Sequence, residues 1–166
     1  MDTAQNFYCP GCSLEGGDGS LPVGTNCNAS NYCWGLYQEL TLYTFSLGDE
    51  EFIHQHVADA YTAQHSSNKL KNIQIWFALI GLYLFLEHKY SGKAVQRVHR
   101  KLAESTKDWP QIALMKSIAG ITVNDILSAE SGDMRKRAIH SWSEVIWQAW
   151  QQKHEKIIGR YTQIGG

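Results

Sequence analysis

From residue 30 onward, apolar side chains recur every three or four positions, which is the spacing of one face of an α-helix. The first such segment covers residues 31–47, and its apolar stripe consists of Cys33, Leu36, Leu40, Tyr43 and Leu47. Ser30 is suited to the N-cap and Gly48 to the C-terminal stop. The pattern therefore predicts a first helix between these two residues.

A second helix is predicted to start at Asp49 and to end near His65, with acidic residues in its first turn. Because only Gly48 and Asp49 separate it from the first helix, the two helices should be antiparallel neighbours. Residues equally far from position 49 should then face each other. Cys33 and His65 lie 16 positions before and after it, so we expect these two side chains to meet.

The remaining pattern predicts three or four more helices and no strand. Residues 70–89 are apolar on nearly every side, residues 93–105 form a short basic segment, and Thr122 with Asp125 resembles a capping box. The last helix is predicted from Asp133 to Thr162. The fold class is therefore all-α, a bundle of five or six helices over residues 30–166 with a glycine-rich, loop-rich lobe over residues 1–29, in a single domain 1–166.

Composition and charge exclude some partners. The chain has 166 residues, of which 43% are hydrophobic and 19% charged, with a net charge of −1, so we expect no nucleic-acid partner. The longest apolar stretch, Ile73–Leu86, has 14 residues, whereas a membrane span needs about 20. We predict no membrane partner, and the sequence leaves a homo-oligomer open.

The sequence begins MDTAQNFY, which has neither the basic nor the apolar region of a secretory signal. We therefore expect a cytoplasmic protein. Its four cysteines are then poor candidates for structural disulfides, and an intracellular Cys-x-x-Cys indicates metal or redox chemistry.

Three interpretations compete for Cys9-Pro-Gly-Cys12: half of a zinc site, a thiol–disulfide redox pair, or two cysteines that only pack. A redox pair of the thioredoxin type should follow a strand and open a helix, but here glycines follow and no strand precedes. A Pro-Gly turn instead directs two thiolates toward one point. Zinc, bound by four ligands, is the favoured interpretation.

The other two ligands are predicted from the helical hairpin. Cys33 lies in the first turn of the first helix, where free N–H groups favour a thiolate, and His65 should lie beside it. The predicted set is Cys9, Cys12, Cys33 and His65. Cys27 could replace Cys33, and a Cys₄ site that uses both is the main alternative.

An enzyme is the second functional hypothesis. The candidate catalytic residues are polar side chains in apolar helices, namely His54, Asp59, Tyr61 and His154. If they converge in one pocket, they could supply acid–base groups or hold a second metal ion for a metal-dependent enzyme. Asp59 lies about 140° around the helix from His54, which weakens this group. His56, on the opposite face, is expected to be exposed to solvent.

Several motifs together resemble a group of uncharacterised bacterial proteins known as a domain of unknown function. The motifs are Cys9-Pro-Gly-Cys12, Cys33-Trp34, the segment His54-x₄-Asp59-x-Tyr61-x₂-Gln64-His65, and the tryptophans Trp142, Trp147 and Trp150 before His154. The resemblance covers nearly the whole chain. It implies that Cys27 lies outside the shared pattern, and it implies no activity. The favoured hypothesis is a small cytoplasmic protein with a structural zinc; a Cys-x-x-Cys redox protein is the third.

Overall fold

Seven α-helices follow an irregular N-terminal lobe in residues 5–165, the part of the chain that a computed structural model describes. Within these residues there is no strand, only an isolated bridge between Tyr8 and Glu15. The all-α prediction is confirmed. Residues 1–4 and 166 of the predicted domain lie outside the described residues. The helices are α1 Asn31–Ser46, α2 His54–Gln64, α3 Asn72–His88, α4 Gly92–Ser105, α5 Val123–Ser128, α6 Asp133–Ala149 and α7 His154–Ile164.

Helix α3 forms the centre of the bundle. It packs against α2, α4, α6 and α7, and eight of its 17 residues are buried. This explains why its sequence is apolar on nearly every side. Among residues 5–165, no helix combines the length and the apolar character that crossing a membrane requires.

The connection between α1 and α2 is longer than the sequence pattern predicts. Helix α2 begins at His54 rather than at Asp49. The Asp49 carboxylate accepts a hydrogen bond from the backbone N–H of Ile53 at 2.8 Å, which closes a separate turn over residues 49–53. Phe52 has a positive φ of 54°, which a continuous helix excludes. The two helices nevertheless pack against each other as a hairpin.

The predicted last helix is divided in two at Trp150. The Trp150 side chain is fully buried, and its indole N–H donates to the carbonyl of Ala63 at 3.3 Å. A 3₁₀ turn, Gln151–Lys153, follows before α7 begins at His154. The His154 imidazole donates from Nε2 to the carbonyl of Trp147 at 2.8 Å. That carbonyl also accepts from the backbone N–H of Trp150 at 3.1 Å, so it joins the end of α6 to the start of α7.

The N-terminal lobe is joined to the bundle by backbone hydrogen bonds. The N–H of Asn28 donates to the carbonyl of His65, and the N–H of Ile118 donates to the carbonyl of Gly11, both at 2.8 Å. The second bond comes from the irregular segment between α4 and α5, which also buries Trp109 and Ile112. The lobe therefore lies between the end of α2 and this segment.

Candidate metal centre

The Pro-Gly sequence between Cys9 and Cys12 forms a tight turn. The N–H of Ser13 donates to the carbonyl of Cys9, and the N–H of Cys9 donates to the carbonyl of Leu14, both at 2.8 Å. These two bonds hold the segment in a narrow loop. Both cysteine side chains are buried, with exposed fractions of 2% and 1%.

Gly11 allows this turn to approach the rest of the centre. A Cβ atom at Gly11 would lie 2.4 Å from the carbonyl oxygen of Asn28 and 2.5 Å from Cδ2 of His65. Neither distance is compatible with a side chain. Glycine is therefore required here by close contact rather than by an unusual backbone angle.

Cys33 is positioned by the N-terminus of α1. Ser30 is the N-cap, and its hydroxyl accepts a hydrogen bond from the N–H of Cys33 at 3.2 Å, as the sequence predicts. The backbone N–H of Ser30 donates to Sγ of Cys9 at 3.4 Å. The same residue thus fixes the start of the helix and stabilises negative charge on one sulfur of the turn.

His65 follows the last turn of α2 and presents Nε2 to the cysteines. Its Nδ1 lies 3.0 Å from the carbonyl oxygen of Tyr61; because a carbonyl only accepts, Nδ1 carries the hydrogen and the lone pair of the neutral ring is on Nε2. Nε2 lies 3.4 Å from Sγ of Cys33. Histidines that bind metals commonly have this arrangement.

The four predicted ligands form one buried group. The Sγ atoms of Cys9, Cys12 and Cys33 and a ring nitrogen of His65 all lie within 4.8 Å of one another. The Cys12–Cys33 sulfur distance is 3.8 Å. A regular tetrahedron with zinc bond lengths gives about 3.8 Å between two sulfurs and about 3.6 Å between sulfur and nitrogen. The group could therefore hold a metal ion in tetrahedral geometry.

The three thiols differ in acidity. Hydrogen bonds from Cys12 and then Cys33 hold the pKa of Cys9 far below its usual value, although burial opposes them. The hydrogen bond from Cys33 lowers the pKa of Cys12. The hydrogen bond between Cys12 and Cys9, burial, and the charge of Cys9 act in the opposite direction, and the resulting pKa of Cys12 is raised to about 12. Hydrogen bonds to Cys12 and Cys9 also raise the pKa of Cys33. These shifts favour a thiolate at Cys9 and thiols at Cys12 and Cys33. A metal ion bound by all three sulfurs would displace the protons of the two thiols.

Tyr61 belongs to the surroundings of this centre. Its hydroxyl lies 3.6 Å from Sγ of Cys33, and its ring stacks on Tyr37 and on His65, with centroid distances of 3.8 and 4.0 Å. Burial raises the pKa of Tyr61, so its hydroxyl keeps its proton and can donate to the sulfur. The spacing of four residues to His65 is the signal that could have placed Tyr61 here.

Cys27 is not a member of the group. It is half-buried, its backbone N–H donates to the Thr25 hydroxyl at 3.2 Å, and burial raises its pKa. Together with Trp34 and Tyr61 it lines a neighbouring cavity of about 310 Å³.

His54 and His154 have different surroundings. His54 is half-buried, with Nδ1 2.8 Å from the Thr44 hydroxyl and its ring stacked on Phe45 at 4.1 Å. His154 stacks on Trp147 at a centroid distance of 3.7 Å. Within residues 5–165, the side-chain hydrogen bonds of these two histidines go to Thr44 and Trp147. Neither histidine is hydrogen-bonded to another candidate catalytic residue in this part of the chain.

Asp59 is a buried carboxylic acid. Its Oδ1 accepts a hydrogen bond from Nε2 of Gln55 at 2.9 Å, whereas Oδ2 has no partner in residues 5–165. Burial raises its pKa well above the usual value. Oδ2 packs against Gly81, where a Cβ would lie only 1.9 Å away. Asp59 therefore packs between α2 and α3, where burial favours the protonated form of its carboxyl group.

The expectation that His56 is exposed is wrong. Its side chain is only 5% exposed, because the ring stacks on Phe85 of α3 at a centroid distance of 3.6 Å. The sequence shows the face of α2 on which His56 lies, but it does not show that α3 covers that face too.

A helical bundle with a buried Cys₃His group at its irregular N-terminal lobe defines the class of this protein. The chain belongs to DUF5946, a family of unknown function, whose sequence profile matches residues 8–151. The match includes all four residues of the group, and the resemblance to a family of unknown function is confirmed. No curated protein and no solved structure matches the chain.

Proposed function

We propose that this chain is a small, soluble zinc-binding protein in which the zinc ion has a structural role. The observation that carries the proposal is the buried group of three sulfurs and one imidazole nitrogen within 4.8 Å of one another. Zinc is the ion that prefers this combination of sulfur and nitrogen ligands in a tetrahedron.

A structural role is favoured because the centre offers four protein ligands and little access. Each of the four residues is at most 2% exposed, whereas a catalytic zinc keeps one position open for water or substrate. Two ligands come from the lobe, one from the start of α1 and one from the residue after α2. The ion would join three segments of the chain through one centre.

The protein would act in a reducing compartment, which supports a cytoplasmic location, because disulfide formation would destroy the ligand set. We also propose a single domain, since one core is shared by the helices and the lobe. Under this proposal, unfolding monitored by circular dichroism is a single transition when zinc is present.

Metal analysis of matched variants tests the ligand set. Wild-type protein, purified under reducing conditions, should contain about one zinc ion per chain. Cys33→Ser should lose the ion and several kcal/mol of stability, since binding energy at such a site is also folding energy. Cys27→Ser is the matched control and should retain both. If Cys27→Ser loses the metal and His65→Ala keeps it, the Cys₄ alternative is correct.

Thiol reactivity distinguishes a structural zinc from a redox pair. In Cys27→Ser, every remaining cysteine is a proposed ligand, so DTNB should react only after a chelator removes the ion. Cobalt added in place of zinc should give the visible absorption bands of a tetrahedral thiolate site. Metal-free protein with a Cys9–Cys12 disulfide would instead support the redox hypothesis.

A further inference from the structure

A cavity of about 450 Å³ lies outside the candidate metal centre. It is formed by residues 51–56 around the start of α2, by residues 85–91 at the end of α3, and by one face of α6. His56, in its wall, precedes His65 by nine residues, which places the two about 13 Å apart along α2. The volume lies in the range of cavities that bind small molecules.

One side of the cavity is apolar and aromatic. Ile53, Phe85 and Leu86 line it, and none of the three is fully buried by the protein. The Phe85 ring stacks on His56 at 3.6 Å and meets the edge of His140 at 5.3 Å. These rings provide a rigid surface of the size and shape that suits another ring.

The other side is basic. Lys89, Lys136 and Arg137 line the cavity, and Glu51 is the one acidic residue among its lining residues. This gives a local charge of about +2 in a chain whose net charge is −1. His140 also faces the cavity, but it lies 3.6 Å from Glu144. A concave surface with an excess of one charge favours ligands of the opposite charge.

The backbone at the rim is strained in two places. Lys89 ends α3 with φ 55° and ψ 34°, a left-handed conformation that glycine normally provides. Phe52, between the lining residues Glu51 and Ile53, has φ 54°. In residues 5–165, these are two of three non-glycine residues with a positive φ. Glycine would adopt this conformation of residue 89 with less strain, so a lysine here is consistent with a role for its side chain at the cavity.

His56 provides a polar group in the wall that lacks a partner. Its Nδ1 is buried and has no hydrogen bond to any residue in 5–165, whereas buried polar atoms are nearly always paired. Burial, with His140 acting in the same direction and Asp49 opposing it, lowers the pKa of His56 to about 4. The ring is therefore neutral near pH 7 and can donate one hydrogen bond without being charged.

We propose that this cavity binds a small organic anion, with an apolar ring of the ligand against Phe85 and Ile53 and its carboxylate, sulfonate or phosphate group among Lys89, Lys136 and Arg137. The site is independent of the proposed zinc ion. Both parts of the ligand are needed: the rings favour an apolar body, and the basic side chains favour an oxyanion over a neutral group.

Two fluorescent probes that share an N-phenylnaphthylamine body test the proposal. 1-Anilinonaphthalene-8-sulfonate carries a sulfonate, and N-phenyl-1-naphthylamine lacks it. With the 166-residue chain in the presence of zinc, we expect the sulfonate to bind one site per chain and at least about tenfold more tightly than the neutral probe. Inorganic phosphate in competition then shows how much of the affinity comes from the charge alone.

Matched charge variants localise the site. Lys136→Gln combined with Arg137→Gln should weaken sulfonate binding about tenfold and leave the neutral probe unchanged. Arg97→Gln combined with Arg100→Gln removes the same charge from exposed positions of α4 and should have no effect. Phe85→Ala should weaken binding of both probes. Melting curves confirm that the charge variants remain folded, since loosely folded proteins also bind the sulfonate.

Four outcomes would overturn the proposal. These are no saturable binding of the sulfonate by the wild-type protein, equal affinity for the two probes, equal losses in the two double charge variants, or wild-type affinity in the Lys136/Arg137 variant. Chemical-shift changes in a titration followed by NMR should involve residues 85–91 and 136–140. Changes confined to other residues would equally refute the location.

Discussion

Gln64 makes three side-chain hydrogen bonds that join α2 to α6 and to the irregular segment between α4 and α5. Replacing it with leucine tests how much these bonds stabilise the bundle. Its Nε2 donates to the carbonyls of Ile118 and Ile121, both at 2.9 Å. Its Oε1 accepts from Nε1 of Trp142, also at 2.9 Å. The side chain is 3% exposed, so Gln64→Leu would leave three buried groups without this partner.

The expected loss follows from these contacts. A buried polar group left unsatisfied costs about 1–3 kcal/mol, and three such groups give at least about 3 kcal/mol. This is a large part of a typical stability of about 5–15 kcal/mol. For a chain of this size it corresponds to a fall in melting temperature of about 6–12 °C.

Urea denaturation followed by tryptophan fluorescence measures the loss. Free zinc should be buffered at one value, because a bound ion adds to the apparent stability. Gln38→Leu, at an exposed position of α1, is the matched control and should change stability by less than about 0.5 kcal/mol. A loss below about 1 kcal/mol for Gln64→Leu, or a loss equal to that of the control, would show that the three hydrogen bonds do not support the fold as described.

Two further predictions concern Asp59 and Gly11. Burial raises the pKa of Asp59 in the folded protein, so the folded state keeps a proton that the unfolded state releases above about pH 4. The free energy of unfolding should therefore fall as the pH rises above about 4. Relative to the wild type, Asp59→Asn should therefore become more stable with rising pH in urea titrations; a constant difference between the two proteins would contradict this. Gly11→Ala would place a Cβ 2.4 Å from the Asn28 carbonyl oxygen, and we expect zinc affinity to fall at least about tenfold in a chelator competition. Unchanged affinity would mean that the turn can move without disturbing the ligands.

The meeting of Cys33 and His65 could be predicted from sequence because it depends only on helix geometry and on a reversal near position 49. The structure changes the start of α2, yet the pair still lies 3.4 Å apart. Cys33 lies 13 residues before the end of α1 at Ser46, and His65 lies 11 residues after the start of α2 at His54, so the two side chains remain at a similar level of the hairpin. The Ser30 cap and the Thr122–Asp125 capping box were also predictable, because each is set by local hydrogen bonds.

Features that depend on contacts between distant segments could not be predicted. Nothing local marks the break at Trp150, where neither glycine nor proline interrupts the helical pattern. The break follows from the burial of Trp150 and its bond to the Ala63 carbonyl. The burial of His56 likewise depends on Phe85, 29 positions further along the chain. The cavity beside it joins α3 to α6, which no spacing rule relates.

The hairpin of α1 and α2 has a consequence for how this chain tolerates changes in length. One residue inserted within either helix would rotate the part beyond it by about 100°, and would turn Cys33 or His65 away from the other. Residues added between Leu47 and Gly48 would only enlarge an exposed bend, since the space around Gly48 is open. An epitope tag inserted in that bend should therefore leave the fold intact. Sequences of relatives should also vary in length there rather than in the helices.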